Sequence, residues 1–359
     1  MTQMLSFARQ ASKPRAIREQ SEFAAEQAIT LLLGGGELDQ DQSEALFTTL
    51  VEGRLPDPLI SAAFVALRIK GETAAELTGA ARALRAAALP FPRPDYTFAD
   101  SCGTGGDCSG SINVSTSAGL VAAACGLPVV KHGNRSFTSK CGSADVLEAL
   151  GARLDASPEQ SRAALDATGF CFLLAPFYHP GIAHAGPVRR ALKVRTVMNL
   201  LGPCLNPARP EVQLLGVAAP EMLRPIAETL RALGVARALV VHGSGLDEVA
   251  LHGETQAVRL SGDELEDMIL TPEQAGLERQ PVAAIVGGDP AENAARLLAL
   301  LDGRASPAER SVVALNAGAL LLTAGRAADL REGVGAALDA IGSGAARKLL
   351  RAFIEASHG

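Results

Sequence analysis

With 359 residues, 48% hydrophobic and 20% charged, the chain can bury a large core, and its length exceeds the ~250–300 residues at which single cores stop growing, so two domains are expected. A formal net charge of -6 excludes a global attraction to nucleic acid or an anionic membrane, while leaving room for a local basic pocket that takes a phosphorylated small molecule. The six cysteines (Cys102, Cys108, Cys125, Cys141, Cys171, Cys204) form neither a CxxC pair nor a Cys/His cluster, which argues against a zinc site or disulfide framework and for a reducing, cytoplasmic setting.

No apolar run reaches the ~18–20 residues of a membrane span, and the opening MTQMLSFARQASKPRAIREQ lacks the apolar core of a secretory signal. Residues 1–20 read as a disordered or loosely packed extension. A helical domain follows over 21–92. Leu46, Phe47, Leu50 and Val51 share one helix face, stopped by Gly53. Asp57 and Pro58 read as N-cap and first residue of a helix carrying Ile60, Phe64 and Leu67. Thr73 and Glu76 form a capping box that opens a helix through Leu77, Ala81 and Leu84. The prolines of LPFPRPDY then end the helical texture.

From 93 to 359 short apolar runs (YTFAD, LPVVK, FCFLLA, VQLLGV, RALVVHG) alternate with helix-patterned segments. That alternation predicts an α/β domain with a mostly parallel central sheet covered by helices. From about Gly287 the chain is Ala- and Leu-rich helix.

Three polar segments sit where strands should end. The loop GTGGD, Gly103 to Asp107, exposes backbone amides that can converge on an anion, although it is neither GxGxxG nor a P-loop and reads equally as a tight turn. Asn113, Ser115 and Thr116 stand at the start of the next helix, where hydroxyls and free amides can bind a second phosphate, serve a metal or act as a plain N-cap. After LPVV comes KHGNRSFTSKCGSAD, which packs Lys131, His132, Asn134, Arg135, Ser139, Lys140 and Ser143 into one loop at a carboxyl strand end, the usual ligand edge of open α/β sheets. Further on, Asp247 and Glu248 are adjacent carboxylates just past the strand RALVVHG.

GTGGD, NVST, KHGNR with GSADVLEALG, APFYHP, PVRRALKVRT, NLLGPCLNPA, HGSGLDEVAL, GGDPAENAA and ALNAGALLL resemble, in order and spacing, the anthranilate phosphoribosyltransferase family. The likeness runs from about Leu31 to the C-terminus and includes ALRIKGET in the helical domain. It implies transfer of a 5-phosphoribosyl group from phosphoribosyl diphosphate to the amine of anthranilate, the second step toward tryptophan. It also implies Mg²⁺, no nucleic-acid or membrane partner, a homodimer through the helical domain, and a helical domain completed by a segment near 186–206.

By that resemblance, phosphoribosyl diphosphate is held by Gly103, Gly106, Asp107, Ser111, Asn113, Val114, Ser115, Thr116, Lys131, His132, Gly133, Asn134, Arg135, Ser136, Phe137, Thr138, Ser139 and Ser143. Anthranilate is held by Gly103, Asn134 and Arg189, with His132, His179, Gly202 and Pro203 around the pocket, and Mg²⁺ by Ser115, Asp247 and Glu248. A flat carboxylate suits the Arg189 guanidinium. The chemistry expected is bond-breaking at the anomeric carbon through an oxocarbenium-like transition state, with Mg²⁺ and Lys131 stabilising charge on diphosphate. The aryl amine is neutral at pH 7, so no general base is obligatory; Lys131 and His132 are the catalytic candidates.

The chain departs from the family at Cys108, where Gly is common, at Ser111 and Thr138, which exchange one hydroxyl for another, and at Cys141, where Ser is common. A more remote likeness to pyrimidine nucleoside phosphorylases is the alternative reading. Those enzymes carry a lysine just before the glycine turn, where this chain has Ser101 and Cys102. A non-catalytic nucleic-acid-binding relative is a third, disfavoured by the acidic balance.

Overall fold

The computed structural model describes residues 15–136 and 140–359, which divide into two compact units: the chain up to 88 together with 179–201, and 89–178 together with 202–359. No helix among the described residues is long and apolar enough to cross a membrane.

The first unit is helical. Its α1, Arg15–Leu33, begins inside the stretch expected to be a loose extension. Residues 15–33 contain neither proline nor glycine, and Ala25, Ala28, Ile29 and Leu32 are buried along one face, so packing carries the helix back past residue 20. Helix α2, Gln40–Val51, opens with an Asp39/Gln42 capping box and buries Leu46, Phe47 and Leu50. Helix α3, Asp57–Lys70, is capped by Pro56, one residue before the expected cap. Its Asp57 side chain makes no capping bond, because Pro56 already supplies the extended backbone that turns the chain into the helix. Helix α4, Ala74–Ala86, has the expected Thr73/Glu76 box. Two short helices, Gly186–Leu192 and Val197–Leu201, complete the unit.

Glu76 ties this unit together from a site only 1% exposed. Its carboxylate accepts from Leu38 N at 3.0 Å and Thr73 N at 2.9 Å and pairs with Lys70 Nζ at 3.0 Å, while its carbonyl accepts from Ser43 Oγ at 2.6 Å. The motif ALRIKGET therefore reads as structural: Lys70 and Thr73 are the two ends of a buried clasp.

The second unit is α/β. Its strands are β1 (Ala99–Gly103), β2 (Val129–Gly133), β3 (Phe170–Leu174), β4 (Val212–Gly216), β5 (Arg237–His242), β6 (Thr255–Ser261) and β7 (Glu264–Leu270). They lie in the order β3-β2-β1-β4-β5-β6-β7. The first five are parallel; β6 and β7 add antiparallel at one side, a hairpin absent from the sequence-based expectation. Its burial pattern breaks phase at the adjacent buried pair Ala257 and Val258, so TQAVRLS carries no clean period of two. The strand order reverses between β1 and β4, and such a reversal opens a crevice at the carboxyl ends.

Alternate strand residues face opposite layers. Ala99, Val129, Phe170, Phe172, Leu214 and Leu239 point into the larger core with helices α5 (Val114–Ala124), α6 (Ser143–Ala149), α9 (Pro290–Leu301), α10 (Pro307–Thr323), α11 (Leu330–Gly342) and α12 (Ala345–Ser357). Here α7 (Pro158–Thr168) and α8 (Leu223–Ala232) complete the chain-order numbering. Phe98, Val130, Cys171 and Leu173 pack on the other side with Phe91, Leu165 and Tyr178. Each fully buried Leu or Phe contributes about 1.5–3 kcal/mol. With both faces covered, β2 to β5 read as mainly apolar runs, which is why they were legible, whereas β1, ADSCG, lies three residues past the start of the expected run YTFAD because it buries Asp100 and Ser101.

Candidate active site

The strands β1 and β4 end level with one another, Gly103 opposite Gly216. A Cβ on Gly103 would stand 2.3 Å from Asp247 Oδ2, and one on Gly216 would stand 1.6 Å from the Asp247 carbonyl oxygen. Two glycines thus open the crevice that lets the LDE segment after β5 close over both strand ends.

The GTGGD loop is held from both directions. Thr104 N donates to Gly216 O at 2.9 Å, Thr104 Oγ1 accepts from Ala218 N at 3.1 Å, and Gly105 N donates to Asp247 Oδ2 at 2.7 Å. Of the amides that could converge on an anion, Thr104 N and Gly105 N are therefore taken up by the protein itself, the second by the Asp247 carboxylate. Asp107 Oδ1 accepts from Ser109 N at 3.1 Å, and Ser111 N donates to Ser109 Oγ at 3.2 Å, which shapes the loop's return. Cys108 adopts φ 60, left-handed backbone that favours the glycine common at this position.

Helix α5 starts at Val114, with Asn113 at its N-cap making no side-chain cap bond. Glu248 takes that role, Oε1 accepting from Ser115 N at 3.1 Å. Ser115 Oγ accepts from Lys131 Nζ at 3.2 Å, and Thr116 is buried. The structure therefore brings the second and fourth polar segments to one place through a carboxylate on a helix N-terminus.

Lys131 is 2% exposed, and its Nζ donates to Ser101 O as well as to Ser115 Oγ. It is an interior cation rather than one displayed on a loop. Its neighbours explain it: the field of Lys131 acts on Asp100, which is buried in β1, and on Glu248. Asp100 is pushed up to about 6 by burial, which outweighs the Lys131 charge and the Asn206 hydrogen bond. Asn206, from the LNPA segment, donates to Asp100 Oδ2 at 2.9 Å and to Val130 O at 2.8 Å, clasping β1 to β2. His132 is buried beside them, its amide donating to Asp100 Oδ1 at 3.4 Å.

The loop after β2 is pinned by a residue that sequence reasoning passed over. Asp145 Oδ2 accepts from Ser136 N and Gly142 N, both at 2.8 Å, and so closes the loop across its base. Its signal was an acid at the third position of a Ser-headed helix. Ala144 N and Ser143 Oγ donate to Asn134 O at 3.1 and 3.3 Å. Arg135 is turned to Glu148 in a largely exposed ion pair. Phe137, Thr138 and Ser139 lie outside the described residues.

Of the expected acceptor residues, Gly103, Asn134, Gly202 and Pro203 belong to the α/β unit and His179 and Arg189 to the helical unit. The Pro203 carbonyl accepts from Gln213 Nε2 at 2.7 Å, and burial lowers the pKa of Arg189.

Asp247 and Glu248 both have raised pKa values, in each case first by burial and then by a like charge, from Asp107 and Asp247 respectively. No cluster of three His, Cys, Asp or Glu poised to hold a metal exists among the described residues. Two half-buried carboxylates and a serine hydroxyl, with crowded negative charge, fit a hard cation that completes its shell from substrate and water, as Mg²⁺ does.

A helical bundle together with a mostly parallel sheet whose switch point carries a glycine-rich turn, a helix N-terminus and a carboxylate pair defines a glycosyl transferase of the two-domain kind. The helical bundle domain of the Glycosyl transferase family matches residues 26–88, and its a/b domain matches residues 95–347. The anthranilate phosphoribosyltransferase of Sorangium cellulosum is 56% identical over 92% of this chain and 94% of that protein. That of Aeromonas hydrophila is 50% identical over 92% and 96%. The crystal structure of the Thermus thermophilus enzyme superposes with a TM-score of 0.88 at 43% identity, covering 92% of this chain and 99% of that one. The Saccharomyces cerevisiae enzyme in complex with PRPP and Mg superposes with a TM-score of 0.86 at 26% identity, covering 94% and 98%. The chain belongs to the anthranilate phosphoribosyltransferase family.

Proposed function

We propose a division of labour among these residues for the reaction the chain catalyses, transfer of the 5-phosphoribosyl group from phosphoribosyl diphosphate to the amine of anthranilate with release of diphosphate. The observation that carries it is the pinning of the GTGGD loop by Asp247 and of the α5 N-terminus by Glu248, which brings a glycine-rich loop, a helix start and a carboxylate pair to one strand edge. Gly106, Asp107 and the α5 start take phosphate oxygens, and the loop from Gly133 to Ser143 forms the second cradle. Ser115, Asp247 and Glu248 would hold Mg²⁺, which would supply positive charge against the departing diphosphate.

Lys131 acts from inside the sheet. It fixes the Ser115 hydroxyl and offsets Asp100 and Glu248, so the site's polarity is preset before substrate arrives. The aryl amine attacks as a neutral nucleophile and loses its proton after the bond forms, so the residues need only orient it; Asn134, Gly103, His132, Gly202 and Pro203 of the α/β unit are the acceptor residues of this reading.

The helical unit leaves Ile69 81% and Val194 59% exposed beside a groove of about 450 Å³ that Phe64, Val65 and Leu192 also line. We assign that face to a second copy of the chain; sedimentation as a monomer at micromolar concentration would remove this assignment. Six free thiols support the reading of a reducing, cytoplasmic setting.

The decisive assay follows loss of anthranilate fluorescence on adding phosphoribosyl diphosphate and Mg²⁺. Wild type is expected to turn over, and Asp247→Ala/Glu248→Ala to lose on the order of 10²–10³-fold. No turnover by wild type would sink the functional reading, and full activity in the double variant would remove the metal assignment.

A further inference from the structure

The segment GGDPAEN, Gly287 to Asn293, has no part in the chemistry above, yet it is zipped onto the first anion loop. Gly287 N donates to Gly110 O at 2.7 Å, Ile112 N donates to Ile285 O at 2.9 Å, and Ser111 bridges Val286 in antiparallel fashion. Asp289 caps α9 in the ordinary way, accepting from Glu292 N at 2.9 Å. Asn293 does something else. It is 4% exposed, its Oδ1 accepts from Gly288 N at 2.8 Å, and its Nδ2 donates to Asn113 Oδ1 at 3.0 Å. Asn113 in turn donates through Nδ2 to the Cys141 carbonyl at 3.3 Å.

The polarity of this relay is forced. A backbone N–H at Gly288 can only donate, so Asn293 must turn its oxygen there and its NH₂ toward Asn113. Asn113 must then present its oxygen to Asn293, which leaves its NH₂ for Cys141 O, a group that can only accept. Both amides are locked by backbone groups at the two ends, with no equivalent flipped arrangement. The Cys141 thiol lies 3.5 Å from Asn113 Oδ1 and adds a weak donor to the same oxygen.

We propose that Asn293 is a positioning residue for phosphoribosyl diphosphate. Through the relay from Gly288 N–H by way of Asn293 and Asn113 to the Cys141 carbonyl, it sets Asn113 at the head of α5 and holds the 140–143 end of the second cradle in register with the first. This inference rests on the reading that Asn113 belongs to the phosphoribosyl diphosphate site.

Asn293→Asp is the clean probe, because the carboxylate still accepts from Gly288 N while an oxygen replaces the donor that faces Asn113 Oδ1. The KM for phosphoribosyl diphosphate should rise by about tenfold, the KM for anthranilate should stay within about twofold, and Asn113→Ala/Asn293→Asp should be no worse than Asn113→Ala alone. A fall in kcat with both KM values unchanged, or additive effects in the double variant, would overturn the proposal. Should Asn293→Asp fail to fold, Asn293→Ala removes both bonds without burying a charge and is read by the same KM split. An unchanged KM in Asn113→Ala would instead defeat the reading of Asn113, whereas a raised KM there with none in the Asn293 variants defeats only the positioning role.

Discussion

In the helical unit the polar groups that set the structure are satisfied by the next turn or by a helix or two away: Asp39 with Gln42, Thr73 with Glu76, and Glu76 with Leu38, 38 positions off. In the α/β unit they are satisfied across long stretches: Gly105 with Asp247, 142 positions away, Asn206 with Asp100 at 106, and Asn293 with Asn113 at 180. The helical unit can therefore be weakened residue by residue through stability, whereas a single change in the α/β unit moves a whole strand end and is read in catalysis.

Gly216→Ala is expected to have the largest effect. The added Cβ meets the backbone of Asp247, so the LDE segment must shift. Activity should fall on the order of 10²-fold and stability by about 1–3 kcal/mol, measured by fluorescence assay and urea unfolding. Near-normal turnover would show that the carboxylate pair tolerates displacement and would blunt the contrast.

Glu76→Ala tests the other side. Its carboxylate is 1% exposed and clasps Leu38, Thr73 and Lys70, so unfolding stability should drop by about 3 kcal/mol. The KM for phosphoribosyl diphosphate should not move, and a large change in it would couple the helical clasp to the cradle.

Asp100 gives a pH signature. Its folded pKa of about 6 lies above the ordinary carboxylate value, so between about pH 4 and 6 the native state holds a proton that the unfolded chain has lost. Stability from this group is full below about pH 4 and declines as pH rises to about 6, by on the order of 2 kcal/mol. Asp100→Asn should flatten that slope in denaturation measured from pH 4 to 7, and an unaltered slope would mean that another group carries it.

Cys108→Gly should have the smallest effect. It relieves left-handed strain but loosens the unfolded chain, so stability should rise by less than ~1 kcal/mol. Thermal melting will register the change, and a loss of stability would show that the thiol contributes contacts of its own.

Much of the fold was legible. Apolar runs marked β2 to β5, YTFAD overlapped β1 only at Ala99 and Asp100, and the Thr73/Glu76 box marked α4 to the residue. The β6–β7 hairpin escaped because its two strands are interrupted by polar and charged residues and β7 is mostly exposed, so it lacks the continuous apolar signature of its neighbours. Of the loose extension expected over 1–20, residues 15–20 are helical and 1–14 lie outside the described residues, while the cap expected at Asp57 moved to Pro56. Within the site, GTGGD, NVST and Asp247–Glu248 stood out as residue types in the right order. The interior position of Lys131, the Asp145 pin and the Asn206 clasp did not, since a lysine, an aspartate and an asparagine look the same in sequence whether they face water or a backbone amide.

Short-range chemistry is what the sequence by itself determined: helix caps, turn glycines, apolar periods and the ordered motifs that identify the family. Only the tertiary structure decided which polar group meets which. That choice depends on which strand ends the crevice between Gly103 and Gly216 brings within hydrogen-bond reach, and on the fixed donor or acceptor character of the backbone groups waiting there.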